Sequence, residues 1–384
     1  MTPSDQPLSK FRIVDLTRVL SGPFCTMLLA DLGADVIKVE EPDGDPVRKQ
    51  GAGREGLSWY FASFNRNKRS IVLNLKTADG RMHLERLIQN ADALIENFRP
   101  GVLARLGFTR ARLEELRPGL VTCSITGFGS DGPYRDRPAF DFIAQAMSGF
   151  MSVNGRADDP PLRTGLPISD LVAGMYAAFG VTAALLRREQ TGQGDHVDVS
   201  LTNSMISLLA YIASHYFATG EILPRTGNDH PIASPYGLFK TRDGTIAIAP
   251  SDNTFFARLV DALDLPELKG DPDYADNVLR VRHRPRLNAL IEDRLCHQDS
   301  AHWVATLNAA GVPCGPVYGV DGVFADPQVQ SQEMAIDIPH PGHGVVRMIG
   351  FPLKFAQAPC RATRPAPDLG QHTSEILREL GFPD

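Results

Sequence analysis

Asp170 stands where a carboxylate could take part in covalent chemistry. It ends the segment Gly165–Asp170, immediately before a stretch whose apolar spacing predicts a long helix. The partial positive charge at a helix N-terminus favours an ionised carboxylate, and an ionised aspartate in a dry pocket can act as a nucleophile. A purely structural role is the alternative, because Ser169 or Asp170 could cap the helix by accepting hydrogen bonds from its free N–H groups.

Two clusters of cations could hold an anionic ligand. The first comprises Asn65–Arg69 with Lys76 further on, and the second comprises Arg99 and Arg105 on either side of Pro100–Gly101. Such runs are either solvated surface or phosphate sites, a role that suits Lys and Arg. The whole chain carries a formal net charge of −6, whereas nucleic-acid binders have a basic excess. We therefore expect a phosphorylated small molecule and no nucleic-acid partner.

A glycine-rich segment resembles a dinucleotide fingerprint. Gly127–Gly132 matches GxGxxG and directly follows a predicted strand, Leu120–Ile125. The fingerprint needs a helix that opens at the loop, so that its N-terminus meets the pyrophosphate. The following residues, Pro133–Pro138, cannot begin an amphipathic helix in register. This disfavours a nicotinamide or flavin site, but the loop still suits the lining of a ligand crevice at the end of a parallel strand.

The remaining reactive side chains do not form a recognised site. His297, Asp299 and His302, and separately His340 and His343, lack the spacing of a metal site. Cys25 lies near the start of the first predicted helix, where a thiol pKa can be lowered, although a buried packing cysteine is the alternative. The sequence contains no Walker loop, HExxH motif or GxSxG elbow. We therefore expect no metal.

The first two hundred residues alternate between strand and helix patterns, which predicts βαβ units and a parallel sheet. The region 225–320 differs, because an Asp-Gly turn at Asp243–Gly244 separates two short apolar runs and helical patterns follow. We expect a large α/β domain over residues 1–200, a linker over 201–224, a smaller α+β domain over 225–320, and a segment over 321–384 that rejoins the large domain.

Composition and apolar runs predict a soluble, cytoplasmic protein. The 384 residues are 43% hydrophobic and 22% charged, as in ordinary globular proteins. The longest uncharged stretch, Leu171–Leu186, is too short for a comfortable membrane span. The N-terminus lacks an apolar signal segment, and an odd number of cysteines without CxxC pairs favours a reducing compartment.

Several blocks of sequence, taken together, resemble one enzyme family along nearly the whole chain. The blocks are, in chain order, Ile13–Thr17, Ser21–Thr26, Leu32–Glu40, Phe64–Ser70, Glu96–Gly101, Ser124–Gly129, Asp170 with its neighbours, Thr191–Ser200, Gly311–Pro316 and Leu369–Thr373. They resemble the class III CoA-transferases, the family of formyl-CoA transferase and carnitine CoA-transferase. The resemblance implies a Rossmann-like large domain, a small domain, and a homodimer whose two chains interlock like links.

The resemblance also implies a reaction. Asp170 would attack a donor acyl-CoA, and the mixed anhydride would then react with the CoA thiolate to give an aspartyl-CoA thioester, from which a carboxylic acid acceptor takes the CoA. CoA is thus a substrate, and no ATP, metal or redox cofactor is required. By position in the family, the CoA-binding residues would be Val19, Leu73, Lys76, Asn97, Phe98, Arg99, Arg105 and Leu106.

The substrate pocket departs from that of the formyl-CoA transferases. By resemblance it would contain Tyr60, Gly127, Phe128 and Gly129. Formyl-CoA transferases carry Gln at the position of Leu20 and an aromatic hydroxyl where this chain has Phe128, and they have a glycine-run loop where this chain has Gly227–Tyr236. These differences disfavour oxalate and formyl-CoA, so we expect another small dicarboxylic or hydroxylated acid.

Two alternative functions remain. An α-methylacyl-CoA racemase has the same fold, but it uses a His at the position of Phe140, paired with a carboxylate at the position of Asp170. A racemase needs a proton acceptor on each face of the α-carbon, which Phe140 cannot supply. A non-catalytic acyl-CoA-binding protein is the second alternative, and it would have no need of a carboxylate at Asp170.

Overall fold

The computed structural model describes residues 6–54, 56–250 and 252–382 of the chain. In chain order the strands are β1 Arg12–Asp15, β2 Asp35–Glu40, β3 Gly53–Arg54, β4 Leu57–Ser58, β5 Arg69–Val72, β6 Ala93–Glu96, β7 Val121–Thr126, β8 His196–Ser200, β9 Gly237–Lys240, β10 Thr245–Ile248, β11 Cys314–Pro316, β12 Ala335–His340 and β13 Gly344–Ile349.

The α-helices are also numbered in chain order. They are α1 Ser21–Asp31, α2 Trp59–Asn65, α3 Ala78–Gln89, α4 Val102–Arg105, α5 Arg110–Leu116, α6 Asp141–Met147, α7 Phe150–Val153, α8 Ile168–Thr191, α9 Leu201–Ser207, α10 Ala210–Thr219, α11 Asn253–Ala262, α12 Glu267–Gly270, α13 Asn277–Arg282, α14 Arg284–Leu295, α15 Ser300–Ala309, α16 Val320–Ala325, α17 Pro327–Ser331 and α18 Thr373–Glu379. Short 3₁₀ helices occupy Pro46–Lys49 and Pro272–Tyr274.

The chain divides into two compact units. The first contains the residues up to Phe150, Thr164–Leu209 and the residues from Pro327 onward, and the second contains Met151–Arg163 and Ala210–Asp326. The second unit therefore includes a short segment well before the predicted small domain at 225–320. Residues 201–224, expected as a linker, carry the helices α9 and α10.

A parallel sheet of six strands forms the centre of the first unit, with the order β5-β2-β1-β6-β7-β8. Every neighbouring pair in it is parallel, which confirms the predicted α/β class. The chain first builds outward from β1 through β2 to β5, and then returns to the other side of β1 with β6. The strand order therefore reverses between β1 and β6, and open α/β sheets bind ligands at the carboxyl ends of strands at such a point.

The sheet forms where it does because its strands are apolar on both faces, as parallel sheets require. Ile13 and Val36 point into a core that includes residues of α1 and α8. Val14 and Ile37 point into a second core, with residues of α3 and α18. All four side chains have no solvent exposure, so helices cover the sheet on both faces.

The long helix α8 is a core element. Among the described residues it is the one helix long and apolar enough to cross a bilayer, but half of its most apolar window is buried within the protein. It packs along α1. At Gly174 the two helices touch through backbone, since an added Cβ would lie 2.7 Å from the carbonyl oxygen of Ser21.

The second unit has its own sheet and core. Its three strands are antiparallel in the order β11-β10-β9. A tight turn joins β9 to β10, where the N–H of Thr241 donates to the carbonyl of Gly244 at 3.0 Å. Phe239, Ile246 and Trp303 belong to the apolar core beneath the sheet.

Candidate functional site

A cavity of about 340 Å³ lies at the carboxyl ends of the central strands of the first unit. Its walls come from the segments that follow β1, β6 and β7, together with the start of α8. This is the edge of the sheet where the strand order reverses, the usual position of a ligand site in an α/β fold. Asp170 is the one carboxylate among the described residues that line it.

Asp170 does not cap its helix. It is the third residue of α8, whose N-cap position is Pro167 and whose N-cap has no side-chain hydrogen bond. Its side chain instead lines the cavity together with Ser21, the first residue of α1. The interpretation of Asp170 as a simple helix cap is therefore wrong, because its side chain is turned toward another helix and into the cavity.

Asp141, the first residue of α6, satisfies the first turn of α8 instead. One of its carboxylate oxygens accepts from the Ser169 amide at 3.0 Å and from the Ser169 hydroxyl at 2.9 Å. The other accepts from Gln145 Nε2 at 2.8 Å. A free amide at a helix start needs such a partner, and here the partner comes from a distant segment. Asp141 therefore fixes the position of the turn that carries Asp170.

The environment of Asp170 disfavours its charge. Burial raises the pKa of this carboxyl to about 7, the negative charge of Asp141 adds to the rise, and the nearby Ser21 hydroxyl opposes it. The pKa of Tyr60 is raised by burial and also by the charges of Asp170 and Asp45, which places Tyr60 within electrostatic reach of Asp170. A carboxyl with a pKa near neutrality, in a cavity, is typical of a functional group.

The segment after β1 is clamped from both sides. The side chain of Asn97 accepts from the Arg18 amide at 2.9 Å and donates to the Arg18 carbonyl at 2.8 Å. The Asp45 carboxylate accepts from the Val19 amide at 3.2 Å. These bonds hold Val19 at a φ of 70°, a left-handed conformation that β-branched residues rarely adopt. The cavity wall thus includes a loop with one residue in a strained conformation, held by hydrogen bonds from two sides.

Four arginines line the cavity, namely Arg18, Arg99, Arg135 and Arg137. The Arg137 guanidinium lies 3.7 Å from the ring centroid of Tyr134, and the Arg18 guanidinium lies 5.5 Å from that of Phe98. Stacking of this kind orients a guanidinium while leaving its N–H donors free at the edge. The cavity therefore combines one carboxylate with an excess of positive charge, which suits a polyanionic ligand.

The structure brings together half of the residues expected to bind CoA. The four that line the cavity are Val19, Asn97, Phe98 and Arg99. The other four lie outside its lining, with Leu73 only 4% exposed in the core, Leu106 packed against that core, and Lys76 and Arg105 on the surface. Their role in CoA binding stays a prediction.

The expected substrate-pocket residues are also divided. Gly127 lines the cavity, and Tyr60 lies outside its lining. The ring of Phe128 packs edge-to-face on Tyr134, with 5.7 Å between centroids, so it supports the residue beneath Arg137. Gly129 is buried at a positive φ of 97°, and its amide donates to Thr126 Oγ1 at 2.9 Å.

Sequence reasoning missed five residues of the site: Arg18, Ser21, Arg135, Arg137 and Asp141. Ser21 lies within a block that carries the family resemblance, but nothing in the block shows that it lines the same cavity as Asp170. Arg137 and Asp141 lie in the segment inspected only for a racemase histidine. Phe140, at that position, is 75% exposed and lines the cavity. No histidine is among the described lining residues.

Two other motifs have structural explanations. Residues 127–140 contain no helix, and the first helix after β7 begins at Asp141. The Gly127–Gly132 loop therefore lacks the helix N-terminus that a dinucleotide fingerprint needs. Cys25 is fully buried in the core, and burial raises the pKa of its thiol, so it is a packing residue.

A histidine pair acquires a third polar neighbour only in the folded chain. His340, His343 and Asp368 place one potential ligand atom each within 4.8 Å of one another. Both ring nitrogens of His340 are already engaged, Nε2 with the Ala366 carbonyl at 3.0 Å and Nδ1 with the Gly342 amide at 3.3 Å. His343 Nε2 lies 3.1 Å from Asp368 Oδ1. These bonds join the β12–β13 turn to the C-terminal segment.

Comparisons with known proteins agree with the geometry. The profile of CoA-transferase family III matches residues 8–373. The chain is 38% identical to a succinate–glutarate CoA-transferase of Agrobacterium fabrum, over 97% of this chain and 96% of that protein. It is 39% identical to an acetyl-CoA:oxalate CoA-transferase of Acetobacter aceti, over 98% and 97%. A CAIB/BAIF family protein of Brucella suis, solved by crystallography, matches with a TM-score of 0.89 and 38% identity, over 98% and 100%.

We expect Asp170 to titrate near neutrality in the free protein. Burial and the charge of Asp141 disfavour its ionised form, so a ¹³C NMR titration of the carboxyl should give a pKa of about 7. Asp170→Asn assigns the resonance, and Asp141→Asn should shift the pKa downward because it removes the neighbouring charge. A pKa close to the ordinary aspartate value of about 3.9 would contradict this description.

The same shift has a consequence for stability. The folded protein holds the Asp170 proton more tightly than the unfolded chain does, so this group lowers the free energy of unfolding as pH rises from about 4 to about 7. Asp170→Asn removes this decrease in the free energy of unfolding. In urea unfolding the variant should be more stable than the parent at about pH 8, and the difference should vanish near pH 4.

Proposed function

The chain belongs to CoA-transferase family III and is a CoA-transferase, and we propose that Asp170 carries CoA between the donor acyl-CoA and the acceptor acid as a covalent thioester. The observation that supports this role most directly is the placement of Asp170 as the one carboxylate among the described residues of an arginine-lined cavity. A non-catalytic acyl-CoA-binding protein would have no need of a buried carboxylate at that position.

In the proposed reaction, Asp170 is first acylated by the donor, then holds CoA as a thioester, and finally passes the CoA to the acceptor. A carboxylate oxygen of Asp170 attacks the thioester carbon of the donor, the C–S bond breaks, and CoA leaves as a thiolate. The thiolate then attacks Cγ of Asp170 in the mixed anhydride, and the donor acid leaves as its carboxylate. The acceptor carboxylate repeats the sequence in reverse, which gives the new acyl-CoA and restores Asp170.

The chain supplies binding and electrostatics to this reaction, and CoA enters as a substrate. The thioester energy passes from donor to acceptor, so the chemistry needs neither ATP nor a redox cofactor. Arg99 and Arg18 stand at the end of β6 and β1 and line the cavity, where their donors suit the CoA phosphates. The pKa of Asp170, about 7, leaves a substantial ionised fraction at neutral pH.

We infer that the acceptor is a small dicarboxylic acid. The similar proteins from Agrobacterium and Acetobacter are named for glutarate and oxalate, both of which have a second carboxylate. In this cavity Arg135 and Arg137 lie on the glycine-rich segment after β7, apart from the arginines that follow β1 and β6. A stacked guanidinium such as Arg137 can bind a carboxylate with two parallel hydrogen bonds. Leu20 and Phe128 continue to favour an acid other than oxalate.

Asp170→Ala should abolish CoA transfer, with a loss of at least about 1,000-fold in kcat, because the nucleophile is removed. Incubation of the parent protein with succinyl-CoA or acetyl-CoA should give a hydroxylamine-sensitive adduct, detected by intact mass and mapped to Asp170 by peptide mass spectrometry.

The matched control is Asp293→Asn, which removes an exposed carboxylate on α14. This variant should form the adduct at the parental rate. If Asp170→Ala transfers CoA as fast as the parent protein, the covalent mechanism is wrong. Exchange of deuterium into the α-carbon of a 2-methylacyl-CoA, without transfer of CoA, would instead identify a racemase.

Arg137→Gln should change the choice of acceptor. Loss of a charge-assisted hydrogen bond corresponds to about 1.5–3 kcal/mol, so kcat/KM for a dicarboxylate such as glutarate should fall about 10- to 100-fold. Exchange of labelled acetate with acetyl-CoA should be affected little, because acetate has no second carboxylate. Arg99→Gln is the comparison, and it should weaken all acyl-CoA substrates alike. An equal loss with acetate and glutarate would show that Arg137 binds CoA instead.

We propose that the protein is an interlocked homodimer, as the family resemblance implies. The support in this chain is a row of exposed apolar side chains on the outer face of α8, with Phe179 74% and Leu186 62% exposed, beside Phe142 of α6 at 56%. Apolar surface of this extent is typical of an interface between subunits.

Interlocking has a specific test. If the termini of each chain are joined covalently by sortase, two linked rings cannot separate even when unfolded. The cyclised protein should then run at the mass of a dimer in SDS, whereas the linear protein runs as a monomer. A monomer in light scattering, or a cyclised product that runs only as a single ring, would contradict the proposal.

We propose that the enzyme acts in the cytoplasm. Among the described residues, the one helix of membrane length, α8, has half of its most apolar window buried within the protein, and free cysteines such as Cys25 and Cys123 are buried and unpaired by disulfides. Fractionation of source cells, with the protein followed by immunoblot, measures the location directly.

A further inference from the structure

Gln145 is fully buried although its side chain is polar. It lies on α6, one turn after Asp141, and has no solvent exposure. Its Nε2 donates to Asp141 Oδ2 at 2.8 Å and lies 3.4 Å from the Leu166 carbonyl oxygen. Its Oε1 accepts from the Thr164 amide at 3.0 Å. Gln145 is not among the described residues that line the cavity, so any effect on a substrate must pass through its neighbours.

These neighbours form the segment that leads into α8. Residues 164–167 are neither helix nor strand, so their position depends on contacts with other elements. Gln145 binds this segment directly at Thr164. It also binds Asp141, whose other carboxylate oxygen accepts from the amide and the hydroxyl of Ser169. Ser169 has no exposure and directly precedes Asp170 in the first turn of α8. Gln145 is thus linked to the segment both before that turn and within it.

We propose that Gln145 is a positioning residue for CoA transfer, which holds Asp141 and the entry to α8 so that the Asp170 carboxylate is presented in one place. This inference rests on the proposed covalent role of Asp170. A misplacement of about 1 Å in a reacting group can cost about 100-fold in rate. The effect of Gln145 therefore falls on the covalent step, and the binding of CoA does not depend on it.

The direction of each hydrogen bond in this network is fixed. The Thr164 amide can only donate and the Asp141 carboxylate can only accept, so the side-chain amide of Gln145 fits in one orientation. An asparagine in place of Asp141 cannot satisfy the network. If its oxygen stays on Ser169, its NH₂ group faces the NH₂ group of Gln145, and rotation of the Gln145 amide only turns that NH₂ group onto the Thr164 N–H. A buried donor without an acceptor is costly in either arrangement.

Asp141→Asn gives the first test. We expect the rate constant of aspartyl-CoA formation, measured with saturating succinyl-CoA in single turnover by quench and intact mass, to fall about 10- to 100-fold at neutral pH. Removal of the Asp141 charge lowers the pKa of Asp170, which by itself would increase the ionised fraction of the nucleophile. A fall in rate therefore reports misplacement. The affinity for CoA, measured by calorimetry, should stay unchanged.

Gln145→Glu gives a test with a different pH dependence. At low pH the new carboxyl and Asp141 share a proton, and the O–H replaces Nε2–H as the donor. Repulsion between the two carboxylates holds this proton to higher pH, and its loss leaves two acceptors facing each other. The rate constant relative to that of the parent should therefore fall at least about 10-fold between about pH 6 and pH 9.

The double variant Asp141→Asn/Gln145→Glu should restore the network. The new asparagine can accept from Ser169 and donate to the new glutamate, whose other oxygen accepts from the Thr164 amide. Only the 3.4 Å contact with the Leu166 carbonyl is lost. We expect this variant to react at least about 10-fold faster at pH 9 than Gln145→Glu, and faster at neutral pH than Asp141→Asn.

The control is Gln298→Glu, which adds the same charge at an exposed glutamine between α14 and α15. It should keep the parental rate at every pH. A parental pH profile in Gln145→Glu, an equal loss of CoA affinity and rate, or a double variant no faster than the single variants would overturn the role of Gln145 while leaving the covalent mechanism intact. Absence of any adduct in the parent protein would instead overturn the proposed function, and this inference with it.

Discussion

A set of buried and paired charged side chains, close to the carboxyl end of β1, holds the site together. Asp15 and Lys68 have no exposure and form an ion pair at 3.0 Å. Lys38, also unexposed, pairs with Asp45 at 3.0 Å. An unpaired charge in such surroundings costs several kcal/mol, so each must keep its partner. Although burial opposes its ionisation, the charges of Lys68 and Lys38 hold the pKa of Asp15 below its ordinary value. These ion pairs fix the loop that follows β1.

The pairs act on the cavity through the backbone. Asp15 accepts from the Thr17 amide at 2.9 Å, and Lys38 donates to the Thr17 carbonyl at 2.9 Å. Asp45, held by Lys38, accepts from the Val19 amide. These bonds hold the loop that leads into α1. Its end, Ser21, lines the same cavity as Asp170, and the start of α1 packs closely on Gly174 of α8. The buried charges and the cavity that contains Asp170 are therefore parts of one arrangement.

Much of the fold could be predicted because its signals are local. Strands such as β1, whose Ile13 and Val14 form a short apolar run, can be found by inspection, and their alternation with helices predicts the parallel sheet that the structure contains. The site was predicted less completely. Asp170 and Arg99 stand in recognisable blocks and both line the cavity. Leu73 was also expected to bind CoA from its position in the family, but its side chain lies in the core, because a match in sequence position does not show which way a side chain faces.

The sequence by itself determined the α/β class, the family and the residue types available for the reaction, since these depend on apolar periodicity and on short blocks of neighbouring residues. Only the tertiary structure decided which groups meet. Asp141 lies 28 positions before Ser169, yet it satisfies the turn that carries Asp170. Ser21, on α1, lines the same cavity as Asp170, on α8. Such pairings result from packing and from the need to satisfy buried polar groups. They join residues that are far apart in the sequence, so the sequence alone does not show them.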